Sequence, residues 1–174
     1  MTTLLDKSGA TGVYHIVCTG PDGKIKWKDE VPNLVVNQGL QLMAATTLTA
    51  GTQIVSWYIG LYGSSATNTP ASSNTMASHI GWTESTPYSN ATRPQCVFTT
   101  PTTANPSVAT NSASPAVFSI NATATIGGAF LVSDNTKGGS SGTLFSAAGF
   151  TSPGDRAVAS GDIVNITYTL NVAG

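Results

Sequence analysis

Charged side chains are scarce in this chain, and their scarcity restricts the classes of function that it suits. Seven basic and eight acidic residues make up 9% of its 174 positions, whereas a typical soluble domain is about 25% charged. Catalytic sites rely on ionisable groups, and freely diffusing monomers rely on charge to stay dissolved. The composition therefore favours a protein that packs against other protein surfaces over an enzyme.

The low net charge argues against two classes of partner. A formal charge of −1 and an isoelectric point near 6.0 provide no basic patch for a phosphate backbone, so we expect no nucleic-acid partner. The uncharged stretch at residues 99–133 is interrupted by Pro, Asn, Ser and Thr, unlike a membrane-spanning helix. Residues 1–7 lack the apolar run of a signal peptide. These features predict folding in the cytoplasm and no membrane partner.

Cysteines and histidines, two of each, offer little chemistry. Cys18 and Cys96 are far apart in sequence and are expected to be buried thiols, with a disulfide formed after release from the cell as the alternative. His15 falls within a predicted strand and is interpreted as structural. A catalytic Ser/His/acid arrangement around His79 and Glu84 is one hypothesis. A serine-rich chain, however, contains such loose patterns by chance. We therefore predict no enzymatic activity and no cofactor.

Three aspartates lie in predicted turns, at positions 134, 155 and 162. Aspartate is favoured in turns because its side chain accepts hydrogen bonds from the nearby backbone. Calcium held between two such loops is the alternative, since oxygen ligands need not be close in sequence. No spacing in the sequence selects a set of metal ligands among these aspartates. We therefore predict no metal site.

The few charged residues of the chain cluster in and just after one predicted hairpin, residues 12–28, which has a turn at Gly-Pro-Asp-Gly. Alternation in the second strand places its three lysines on one face and Ile25 and Trp27 on the other. Two acidic residues follow directly. The candidate partner contacts are therefore Lys24, Lys26, Lys28, Asp29 and Glu30. A solvated edge that blocks unwanted strand pairing is the alternative interpretation of these lysines.

One helix is predicted at residues 38–48, with Asn37 as its cap and Gly51 after its end. Its apolar stripe consists of Leu40, Leu42, Met43 and Leu48. Residues 100–116 are rich in Thr, Asn, Ser and Pro, which predicts a long exposed loop of the kind used as an interface arm.

The last third of the chain shows the clearest strand pattern. In residues 163–172 the side chains alternate, with polar residues on one face and Val164, Ile166, Tyr168, Leu170 and Val172 on the other. Gly127-Gly128 indicates a bulge in an earlier strand. Short strands separated by turn signals predict a mainly β fold. We expect residues 1–174 to form a single antiparallel β-sandwich, jelly-roll-like, with the one short helix.

Three sequence blocks together resemble a widespread group of small structural proteins of tailed bacteriophages. The first is Lys-Ile-Lys-Trp from Lys24 followed by Asn-Leu-Val-Val-Asn-Gln-Gly-Leu from Asn33. The second runs from Trp57-Tyr58-Ile59-Gly60-Leu61 through residues 74–84 to Arg93-Pro94. The third is Ile126-Gly127-Gly128-Ala129-Phe130-Leu131 with residues 133–139 and the strand after Ser160-Gly161-Asp162. The resemblance covers residues 13–172.

The resemblance implies a non-enzymatic role in the virion and supplies no catalytic residues. The location that we expect is the capsid exterior, as a decoration or cement protein that binds the major capsid protein and copies of itself as a dimer or trimer. The main alternative is a tail, baseplate or fibre protein involved in attachment to the host surface. Sugar-stacking aromatics would then be Trp57, Tyr58, Trp82 and Tyr88. A third alternative is a hydrolase of cell-surface polysaccharide that uses His79 and Glu84.

Overall fold

The computed structural model describes residues 9–63, 69–150 and 154–174. Residues 1–7, for which we predict no signal peptide, lie outside them. The described strands are β1 (Gly9–Thr19), β2 (Ile25–Pro32), β3 (Leu34–Val35), β4 (Trp57–Gly63), β5 (Glu84–Ser85), β6 (Gln95–Cys96), β7 (Ser107–Thr110), β8 (Ala116–Ser119), β9 (Ala124–Val132), β10 (Leu144–Gly149), β11 (Arg156–Val158) and β12 (Ile163–Ala173); the described helix is α1 (Asn37–Leu48).

The strands form two antiparallel sheets. Sheet A has the order β2-β1-β12-β7, and β8 also pairs with β12. Sheet B has the order β3-β10-β9-β4-β5, with β11 on β9 and β6 on β4. The longest pairing joins β1 to β12, from Gly9 opposite Ala173 to Thr19 opposite Ile163. The predicted antiparallel sandwich with one short helix is confirmed.

The core lies between the two sheets because strand residues point alternately to opposite faces. The inward side chains of β1 and β12 are buried; they are Tyr14, Ile16, Cys18, Val164, Ile166 and Tyr168. They pack in one cluster with Ile59, Leu61 and Leu131 of sheet B. Each large apolar side chain buried in this way contributes roughly 1.5–3 kcal/mol. The alternation predicted for the last strand is therefore correct through Tyr168, whereas Val172 is 41% exposed.

A second apolar cluster covers the other face of sheet B. Trp82, in the segment before β5, packs against Tyr62 and Phe130, with ring centroids 5.1 and 5.2 Å apart. Met76 of the same segment is buried in this cluster. Sheet B thus has apolar side chains packed on both faces.

The helix ends at Leu48, as predicted, but it begins one residue earlier than predicted, at Asn37. Val36, not Asn37, occupies the N-cap position, and no side chain caps the helix. Leu40 and Leu48 are exposed, so the predicted apolar stripe is reduced to Leu42 and Met43, which are half-buried. Backbone contact adds to it: Val36 N–H donates to Phe145 O at 3.0 Å, and at Gly39 a Cβ would overlap that same carbonyl oxygen. Glycine is needed here because the helix backbone approaches β10 so closely.

The predicted loop at residues 100–116 contains a strand, β7, paired with β12. Asn111, just after it, is fully buried: its Oδ1 accepts the Tyr168 N–H at 2.6 Å, and its Nδ2 donates to Ile166 O at 3.3 Å. Thr, Ser and Val suit an edge strand as well as a loop, so composition did not distinguish the two. The prediction of one long exposed loop is wrong over 107–111.

A bulge in β2 overturns the predicted directions of Ile25 and Lys26, whereas Trp27 packs against the core and Lys28 is exposed, as predicted. Cys18 lies opposite Trp27 and Thr19 opposite Ile25, so Lys26 is an extra residue in the ladder. One extra residue reverses the direction of the side chains beyond it. Ile25 is consequently 62% exposed, and Lys26 bonds to a buried carboxylate instead of sharing an outward row with its neighbours.

Candidate functional site

The outward side chains of sheet A form a broad surface that we call the open face. It is defined by Val13, His15 and Val17 of β1, Val117 of β8, and Asn165, Thr167 and Thr169 of β12. The register places Val13 opposite Thr169, His15 opposite Thr167, and Val17 opposite Asn165, which in turn lies opposite Val117. These residues alternate with the buried core positions of the same strands, so they point away from sheet B.

The open face suits a protein partner because its centre carries no Lys, Arg, Asp or Glu. Burying an unpaired ion at an interface is costly, whereas Thr and Asn can exchange hydrogen bonds with water for bonds with a partner. Charge lies at one margin, where Lys28 is opposite Val17 and Glu30 is opposite His15. A neutral centre with a charged rim is the usual organisation of a protein interface.

Two of the five predicted partner contacts are engaged in bonds within the fold. Lys26 Nζ donates to Asp162 Oδ2 at 2.6 Å, and the Asp162 side chain is buried. Asp29 lies inward and pairs with Arg156 of sheet B. Beside it, Trp27 Nε1 donates to Ala157 O at 3.0 Å. These bonds tie the β2 edge of sheet A to β11.

The other three predicted contacts are accessible. Lys24, at the turn, has a loose contact of 3.7 Å with Asp22, and both are exposed. Glu30 Oε2 lies 3.3 Å from His15 Nδ1 at the surface. Lys28 makes no ion pair with any residue in the described part of the chain. Partner contact by all five of these charged residues stays a prediction.

The Lys26–Asp162 bond makes stability depend on pH. Burial opposes ionisation of Asp162, but hydrogen bonds from Lys26 Nζ and the Ala159 N–H outweigh it and lower the pKa of the carboxyl. The unfolded chain then binds a proton first as pH falls, so folding loses stability below about pH 4. We expect the urea midpoint to fall from pH 5 to pH 3, and to fall less in Asp162→Asn. An equal fall in both proteins would contradict this role.

A second buried ionic cluster was missed by the sequence analysis. Arg93 Nε and Nη2 donate to the two carboxylate oxygens of Glu84 at 3.0 and 2.7 Å. Its Nη1 donates to Asp134 O at 2.8 Å, and its Nη2 also donates to Gly139 O at 2.6 Å. The Gly138 N–H donates to Glu84 at 2.8 Å. The cluster therefore fixes the loop after β9 to the segment around β5.

The signal for this cluster was present in the sequence. Glu84 and Arg93 are the only Lys, Arg, Asp or Glu residues in positions 31–133. A lone acid and a lone base in so long a neutral stretch suggest that they pair with each other. Both side chains are almost completely buried, and charged side chains are rarely buried unless paired.

The hypothetical catalytic set around His79 does not form in this structure. Both oxygens of Glu84 are engaged by Arg93, as described above. His79 stacks on Trp82 with ring centroids 4.0 Å apart, and its Nδ1 lies 2.8 Å from Trp82 O. His79 thus contacts its own segment, and the carboxylate of Glu84 is paired with Arg93.

The described residues contain no group of three or more His, Cys, Asp or Glu side chains placed to hold a metal ion. Asp134 accepts the Thr136 N–H at 2.8 Å, the local turn bond expected of it. Cys18 and Cys96 are buried free thiols, as predicted. Burial raises the pKa of Cys18 to about 11 and that of Cys96 to about 12, so both stay protonated near neutral pH.

The aromatic side chains considered for sugar stacking are divided between core and surface. Trp82 and Tyr88 are buried, which fits core packing and leaves no ring face for a sugar. Trp57 and Tyr58 are half-buried. Within the described residues, no helix has the length and apolar character needed to cross a membrane.

The chain was compared with protein-family models, with curated proteins and with solved structures. No family model, curated protein or solved structure matches it.

Proposed function

We propose that this chain is a non-enzymatic bacteriophage virion structural protein, a capsid decoration protein that binds and stabilises the lattice of the major capsid protein. The open face is the observation that carries the proposal. Its neutral centre of Val, Thr and Asn is suited to permanent burial against another protein. The resemblance of the three sequence blocks to tailed-phage structural proteins supplies the kind of partner.

The size of the open face is compatible with a stable contact. β1 and β12 each contain 11 residues, which at about 3.3 Å per residue gives a length of about 36 Å. Four strands spaced about 4.8 Å apart cover a width of about 19 Å. This footprint approaches the roughly 800 Å² that each partner buries in a standard protein interface.

The mechanism that we propose is mechanical. Many copies bind at repeated positions on the capsid, with the open face buried and Lys28 and Glu30 at the rim. The added interface area opposes the outward pressure of packaged DNA. Copies of the chain also contact one another, as a dimer or trimer. The bonds from Lys26 to Asp162 and from Asp29 to Arg156 hold β2, at the edge of the open face, in one conformation for binding.

Removal and addition of the protein test this proposal. Particles stripped of the protein are expected to release DNA at a lower temperature, and adding purified protein back should restore the original temperature. Quantitative mass spectrometry is expected to give hundreds of copies per particle. Unchanged thermal release after complete removal would contradict the proposal, and a copy number of only a handful would favour a tail or fibre protein.

A charge at the centre of the open face is expected to prevent binding. Thr167→Arg places a cation between His15 and the rest of the neutral surface, and burying it unpaired should weaken capsid binding at least tenfold. Thr47→Arg on the exposed side of α1 is the matched control, with unchanged affinity. Binding is measured by co-sedimentation with stripped capsids. Equal affinity of the two variants would exclude the open face as the contact.

A further inference from the structure

A cavity of about 350 Å³ opens between the two sheets at the end where β4 begins. Its inner walls are formed by Trp57, Phe98, Leu131, Phe145, Tyr168 and Leu170. These residues come from both sheets and from the segment after β6. The cavity therefore lies at the edge of the main core, and it is separate from the open face on the other side of sheet A.

The cavity is partly open to solvent, since Val55 in its lining is 83% exposed. A dry apolar cavity of about 150 Å³ is already enough to bind benzene, and small-molecule pockets begin near 300 Å³. The cavity between the sheets is thus in the size range of a small-molecule site.

Aromatic contacts fix the positions of the rings that line the cavity. Trp57 packs edge-on against Phe145 with centroids 5.4 Å apart, and Phe98 packs edge-on against Tyr168 at 6.0 Å. The Tyr168 hydroxyl accepts a hydrogen bond from Asn33 Nδ2 at 2.8 Å. Each ring is held by a neighbour, so the site is formed before any ligand enters, which reduces the ordering cost of binding.

The lining determines which ligand chemistry fits. It contains no Lys, Arg, His, Asp or Glu side chain, so a charged group would lose hydration without compensation. Two polar side chains, Gln53 and Thr99, belong to the lining. Aromatic and aliphatic walls favour a flat hydrocarbon ring over a sugar, whose hydroxyl groups need several hydrogen-bond partners.

We propose that this cavity is a binding site for an uncharged hydrophobic molecule of one or two fused rings. The rings lie among Trp57, Phe98 and Phe145, and any single polar substituent is directed to Gln53 or Thr99. The site does not depend on the proposed virion role, because the open face and the cavity are formed by opposite sides of sheet A.

Indole is the probe for the test because it is uncharged, flat and has one N–H. Titration into the full chain, followed by methyl NMR, is expected to give saturable one-to-one binding. The shifted signals should be those of Leu131 and Leu170, with the exposed methyl groups of Val117 unaffected. Binding that does not saturate, or shifts spread over the surface, would overturn the proposal.

A filled cavity provides the decisive comparison. Ala109→Trp adds an indole group to the wall and is expected to weaken binding at least tenfold. Leu48→Trp adds the same group to the exposed end of α1, outside the cavity and the open face, and should leave the affinity unchanged. Leu170→Trp is the second filling variant if the first one does not fold by circular dichroism. Retained affinity in a folded filling variant would overturn the proposal.

A second copy of the chain is the competing occupant, and protein concentration tests for it. Indole affinity is measured at increasing protein concentration, with the oligomeric state followed by sedimentation. The affinity is expected to stay unchanged. Affinity that falls as a dimer forms would show that a neighbouring copy fills the cavity, and the small-molecule site would then be wrong.

Discussion

Arg93→Met is expected to lower the free energy of unfolding by about 3–5 kcal/mol, the usual cost of removing one partner from a buried ion pair. The substitution leaves the Glu84 carboxylate, only 7% exposed, without its cation. It also removes the donors for the carbonyl groups of Asp134 and Gly139. Urea unfolding followed by tryptophan fluorescence measures the change.

Two further variants show whether the loss comes from the stranded charge. In the double variant Arg93→Met/Glu84→Met the buried carboxylate of Glu84 is removed together with its cation, so part of the stability should return. Lys24→Met removes a side chain that is exposed at the turn and should change stability by less than about 0.5 kcal/mol. A double variant less stable than Arg93→Met alone would contradict this explanation.

Gly128→Ala is expected to destabilise the protein by about 3 kcal/mol, at the upper end of the range for overpacking. A Cβ at this position would overlap the Ala148 carbonyl oxygen of the neighbouring strand and the ring of Tyr62. Backbone cannot move aside as a flexible side chain can, so β9 and β10 must separate. Thermal unfolding should show the loss as a fall of several degrees, at about 2–4 °C per kcal/mol.

Gly63→Ala is the matched control in the neighbouring strand. The nearest atom to a Cβ there is Thr83 O at 3.7 Å, an ordinary contact distance. Its stability should stay within about 0.5 kcal/mol of the original protein. If Gly128→Ala and Gly63→Ala unfold at the same temperature, close packing around Gly128 does not determine the cost of adding a Cβ there.

Local pattern and long-range pairing explain why some elements were predicted and others were not. Alternation in β12 is a local property with a period of two, so its buried face was correctly identified from sequence. The bulge at Lys26 depends on how β2 aligns with β1, and no local pattern in β2 reveals it. The same applies to β7, whose strand character comes from pairing with β12 more than 50 positions away in the sequence.

By itself, the sequence determined the β-rich class, the alternating core of β12, the two buried thiols and the scarcity of charge, because each depends on composition or on short-range periodicity. Only the tertiary structure decided where the few charges go. It pairs Lys26 with Asp162 and Asp29 with Arg156. The physical reason is that an ion pair forms between residues that the fold brings together, and sequence separation does not encode that distance. The neutral open face emerges from the same pairing of distant strands.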